Sequence, residues 1–224
     1  MRPGSCAWNT SAAWLLVLLL AAGAPAFAAD EIRITETRNL PLGDLPVVND
    51  ASHELRLTLH TFRGTRWSHE QISAAVRHAA GLLGQCRVAL AYAELRVVEA
   101  PRRFHFYSTP VSRELLKRMP VAKPALFFVE DTLNRPAYDA EAIGRGNSAS
   151  RPELADTVWI AYGARDLPQA LTHELVHVLA DSGDHSEEPE NLMRAETSPR
   201  NTRLTAAQCK RMRERGEANG LLRR

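Results

Sequence analysis

Cysteine is scarce in this 224-residue chain, which has three, at Cys6, Cys86 and Cys209. They are too few and too scattered to close a four-thiolate structural metal site. An excess of one charge is also lacking. Lys and Arg number 28 against 26 Asp and Glu, a formal net charge of +2, so no field strong enough to imply nucleic acid is present. No basic stretch is interleaved with aromatics, which removes the stacking platform of a single-strand binder. The basic residues near the C-terminus, Lys210, Arg211, Arg213, Arg215, Arg223 and Arg224, read as a solvated helix face and a frayed tail. Internal repeats and low-complexity linkers are absent. The apolar run from Ala12 to Ala22 is too short to span a bilayer comfortably.

That run follows Met1-Arg2 and leads to Ala26-Phe27-Ala28, the layout of a secretory signal peptide cut after Ala28. Residues 1–28 are therefore expected to be a leader. Residues 29–50, polar and carrying Pro41 and Pro46, read as an N-terminal arm, and residues 51–224 as one domain able to bury a core. The expected location is periplasmic or extracellular, with no stable membrane insertion after cleavage, and the expected state is a monomer. Cys6 leaves with the leader. The remaining pair, Cys86 and Cys209, allows one disulfide between the end of an early helix and the closing helix, or else two buried thiols.

The chemistry is concentrated in His173-Glu174-Leu175-Val176-His177. Residues four apart stack on one helix face, so both imidazoles can reach a single zinc ion. Glu174, one step round, can reach a water on that ion and act as its general base. Pro168 suits a first turn, and Leu171, Leu175, Val178 and Leu179 supply an apolar stripe. The alternative is an ordinary surface helix with two solvated histidines. A third imidazole, His185, follows shortly after Gly183, where a helix-ending left-handed residue is expected. Three protein ligands with the fourth position left to water make a catalytic zinc site. Asp184 and Asp181 compete with His185 for the third place, since carboxylates also bind zinc.

Upstream, Glu54 to Phe62 alternates as a half-buried strand. Ser68-His69-Glu70-Gln71 is a capping box that opens a helix with Ile72, Ala75, Val76, Ala79 and Leu83 on one stripe, ended by Gly84. Arg87–Val98 reads as a strand, with Phe104–Tyr107 pairing after it. Thr109-Pro110 starts a short helix that Pro120 stops. Ala125–Glu130 and Asp156–Tyr162 are apolar strands, and Thr205 with Gln208 caps a closing helix. His69, His78 and His105 read as surface residues. This order gives one α+β domain: a twisted sheet with an early helix, an active-site helix and a C-terminal helix.

The motifs together resemble the metzincins, zinc peptidases with the pattern His-Glu-x-x-His-x-x-Gly-x-x-His and a following methionine turn. His185-Ser186-Glu187-Glu188-Pro189-Glu190-Asn191-Leu192-Met193 is similar to the third-histidine-to-methionine segment of the matrixins, and Leu204-Thr205-Ala206-Ala207-Gln208 to the start of their closing helix. The resemblance implies one catalytic Zn2+ held by His173, His177 and His185, with Glu174 as general base and Met193 as the Met-turn beneath the metal. It implies a secreted or periplasmic endopeptidase acting on peptide or protein substrates; a non-catalytic exported zinc-binding protein on the same scaffold is the alternative. Ala180 stands where the family has glycine and the third histidine arrives two residues late, consistent with a helix running about half a turn longer to end at Gly183. A gluzincin arrangement with Glu196 as third ligand fits less well. The resemblance also lets the polar loop Gly144–Ser150 form the upper rim of a substrate cleft, with a plain surface loop as the alternative. The arm at 29–50 holds no cysteine, which excludes latency by a cysteine presented to the zinc.

Overall fold

The computed structural model describes Met1 and residues 30–41, 43, 45, 47–132, 142–145 and 152–224. The expected leader (apart from Met1), Cys6, Pro46 and the part of the polar loop at 146–150 lie outside these residues.

The strands are β1 (Arg33–Asn39), β2 (His53–Phe62), β3 (Val88–Glu99), β4 (Phe106–Tyr107), β5 (Ala125–Val129), β6 (Asp131–Thr132), β7 (Ala142–Arg145), β8 (Thr157–Ala161) and β9 (Leu222–Arg223). The helices are α1 (His69–Gly84), α2 (Thr109–Arg118), α3 (Leu167–Ala180) and α4 (Ala206–Ala218). The main sheet runs β1-β3-β2-β5-β8-β7, with β9 beside the start of β2. Its centre is parallel and its two edges, β1 and β7, are antiparallel. Parallel neighbours need long crossovers, and α1 and α2 lie within two of these. The protein is a single α+β domain.

Alternation in β2 sends Leu55, Leu57 and Leu59 to one face, where they pack with Ile72, Val76 and Leu83 of α1 and with Leu171 and Leu175 of α3. The opposite face carries Phe62, Phe104, Tyr107, Leu115, Phe127 and Trp159. β5 and β8 are buried along their whole length, as expected of central parallel strands covered on both sides. Both capping boxes form: Ser68 with Gln71 opens α1, and Thr205 with Gln208 opens α4.

Several elements differ from the sequence expectation. Arg33–Asn39, inside the stretch read as a polar arm, is an edge strand on β3 whose half-polar composition suits one exposed flank. Arg102–His105 is a 3-10 turn, and the short β4 after it pairs with β6. The C-terminus is not frayed: Leu222 pairs with Leu55 and is buried, docked where Gly216 leaves room. A Cβ on Gly216 would lie 2.8 Å from the Leu222 side chain.

Cys86 and Cys209 form a disulfide that ties the end of α1 to the first turns of α4, across 123 residues of sequence. Closing so long a loop removes denatured-state entropy, so a Cys86→Ala/Cys209→Ala variant is expected to lose about 2–5 kcal/mol in urea unfolding. Reductant should then have no further effect on the variant. No helix among the described residues is long and apolar enough to cross a membrane.

A three-histidine cluster as candidate metal centre

Helix α3 hangs its apolar stripe, Leu171, Leu175, Val178 and Leu179, in the core. His173 and His177 stand one turn apart, with ring centroids 4.5 Å from each other. His173 Nδ1 lies 2.8 Å from the Leu192 carbonyl, and His177 Nδ1 lies 2.6 Å from the Ser182 carbonyl. A carbonyl can only accept, so each Nδ1 carries the hydrogen and each Nε2 keeps a lone pair. Burial pushes the pKa of His173 down to about 4 and that of His177 below the ordinary histidine value, which keeps both rings in the neutral, ligating form.

The structure brings His185 to the same point. His177 Nε2 is 2.9 Å from His173 Nε2 and 3.3 Å from His185 Nε2, and the ligand atoms of all three lie within 4.8 Å of one another. Ligands on a tetrahedral zinc at about 2.0–2.1 Å sit roughly 3.3 Å apart. The lone pairs of His173 and His177 face each other at 2.9 Å and repel unless a cation lies between them, so the donor set fits a metal ion. Glu174 adjoins His173 on α3, about 100° further round, and is half-buried.

The rival ligands are placed elsewhere. Asp184 accepts hydrogen bonds from Ser182 Oγ and from Arg211, which hold its carboxylate below the usual range. Asp181 caps α3 in the left-handed conformation, at φ 48°. This corrects the helix end: α3 stops at Ala180 and turns at Asp181, while Gly183 is outside the left-handed region. Asp tolerates that conformation better than most residues, and Ser182 can then offer its carbonyl to His177. Glu196 is exposed and takes no part in the cluster.

No protein-family model matches this chain, and no curated protein does. A solved structure does: metalloproteinase-II from Bacteroides fragilis, with a TM-score of 0.51 at 17% identity. The match covers 80% of this chain and 57% of that one. The shared property is the fold. The chain spans little more than half the length of that protein.

Met193 is buried, and its turn is fastened twice. Ser186 N donates to Met193 O at 2.8 Å, and Met193 N donates to Asn191 Oδ1 at 2.9 Å. The buried Asn191 amide also pairs with that of Gln208, at 3.1 and 3.2 Å. Gln208 thus serves both the cap of α4 and the turn whose Leu192 carbonyl orients His173. The capping-box spacing pointed to Gln208, but no sequence signal pointed to Asn191, Ser182 or Arg211. His69, His78 and His105 are not part of the cluster.

Proposed function

We propose that this protein is an exported zinc-dependent endopeptidase of the metzincin type. The observation that carries this reading is the convergence of three Nε2 atoms, two of them from the helix that also carries Glu174, on a metalloproteinase-like fold. His173, His177 and His185 would hold one Zn2+, with Met193 forming an apolar floor beneath it. When bound, the ion supplies Lewis-acid activation of water and of the scissile carbonyl. Glu174 takes a proton as the water oxygen bonds to the carbonyl carbon, and returns it to the departing amine nitrogen as the C–N bond breaks. The Leu192 and Ser182 carbonyls keep the first two rings in the ligating tautomer throughout. β7, antiparallel to β8 and last in the sheet among the described residues, would provide an edge that an extended peptide or protein substrate joins by strand addition.

The Cys86–Cys209 bridge supports an oxidising, exported location, periplasmic or extracellular. Monomeric action on peptide or protein substrates belongs to the same proposal. The competing reading is a metal-binding protein without catalysis. Glu174 weighs against it, because three neutral imidazoles need no adjacent base merely to hold an ion. The test is metal content alongside cleavage of a broad peptide library. One zinc per chain is expected, with cleavage abolished by a chelator and restored by added zinc. Full zinc occupancy without cleavage would favour the non-catalytic protein.

A further inference from the structure

We propose that Arg211 positions the third metal ligand, acting through Asp184; the inference rests on the zinc reading above. The three imidazoles are not equally supported. His173 and His177 each give Nδ1 to a backbone carbonyl, at 2.8 and 2.6 Å. His185 is the exposed member of the group, and among the described residues its Nδ1 has no such acceptor. Its ring is therefore aimed by the backbone on either side of it.

On the C-terminal side that backbone is held by Ser186 N donating to Met193 O at 2.8 Å. On the N-terminal side the work falls to Asp184. Its N–H donates to Ser182 Oγ at 3.1 Å, and its Oδ2 accepts from Ser182 Oγ at 2.7 Å. The carbonyl of that same Ser182 holds His177. Ser182 and Asp184 thus couple the second ligand to the third. What fastens this pair to another element is Arg211, whose Nη1 reaches Asp184 Oδ2 at 2.7 Å from α4. α4 is a fixed platform, because Cys209, two residues before Arg211, is bonded to Cys86. The clamp lies where the connection between second and third histidines exceeds the metzincin spacing, and there it restrains a segment that has no regular structure.

An exposed ion pair adds little to overall stability, so its removal should be felt at the metal and not in the fold. Zinc affinity is measured by chelator competition, and ligand geometry by the visible spectrum of the Co2+-loaded protein. Arg211→Ala is expected to raise the zinc Kd about threefold to tenfold and to shift the Co2+ spectrum, with the Tm of the metal-free protein unchanged. Arg211→Lys should recover part of the affinity, since the charge is kept while the guanidinium geometry is lost. Added salt should narrow the gap between wild type and Arg211→Ala. Asp184→Ala combined with Arg211→Ala should bind no more weakly than Asp184→Ala alone. Lys210→Ala, which removes an exposed cation of the same helix paired with Glu214, should bind as wild type does. A zinc Kd for Arg211→Ala within about 1.5-fold of wild type, or additive losses in the double variant, would overturn the proposal. Wild-type protein without zinc affinity overturns both this inference and the metal reading beneath it.

Discussion

Replacing Glu174 by glutamine is expected to leave the zinc content unchanged while lowering kcat for peptide hydrolysis by about 10²–10⁴-fold. Glutamine has nearly the shape of glutamate and the same helical preference, so α3 and the two histidines on it stay in place. What is lost is the capacity to accept a proton from the attacking water and to hand it to the leaving amine. The effect should therefore fall on kcat, with KM for a peptide substrate moving little. Zinc analysis of both proteins separates a lost base from a lost metal site. Equal turnover by wild type and Glu174→Gln would dismiss Glu174 as the base and with it the proposed reaction. A variant depleted of zinc would instead make Glu174 part of the metal's support.

The largest stability effect should come from the opposite face of the sheet. Phe127 is fully buried on β5, sandwiched between His60, at 4.6 Å, and Trp159, at 4.1 Å between ring centroids. Phe127→Ala removes a ring with close neighbours on both sides and leaves a cavity, at a cost of about 3–5 kcal/mol in urea unfolding at pH 7. The same change carries a pH signature. Burial, with a smaller contribution from the positive charge of Arg96, pushes the pKa of His60 down to about 3. A histidine depressed in the folded state is protonated first in the unfolded chain, so it stabilises the fold fully above the unfolded value of about 6.5. That contribution drains away as pH falls from there towards 3. Opening a cavity beside His60 admits water and relaxes the depression, so the deficit of Phe127→Ala should be smaller at pH 5 than at pH 7. A deficit below about 1 kcal/mol at pH 7 would show that the neighbouring rings collapse into the space.

Much of the candidate site could be read from spacing. Two histidines four residues apart share one face of a helix and can meet one ion there, and the apolar stripe at Leu171, Leu175, Val178 and Leu179 called for that helix. The alternation of Leu55, Leu57 and Leu59 and the capping boxes at Ser68 and Thr205 are local rules, and each formed where it was read. Elements were missed where stability comes from a distant partner. β1 has an edge composition that does not announce a strand, and it exists because β3 offers a free flank. The two-residue β9 is held by the buried flank of β2 and by space over Gly216. The end of α3 was misplaced because glycine is the usual left-handed cap, whereas here Asp181 adopts that conformation and frees the Ser182 carbonyl for His177.

The sequence by itself determined where the helix that carries His173, Glu174 and His177 forms, since apolar periodicity and the Pro168 start are local signals, while packing of that apolar stripe in the core supplies its stability. Tertiary structure alone decided that His185, and not Asp184 or Asp181, joins them. That choice depends on Arg211 engaging the Asp184 carboxylate and on Met193 holding Ser186, contacts between segments whose approach no local spacing encodes.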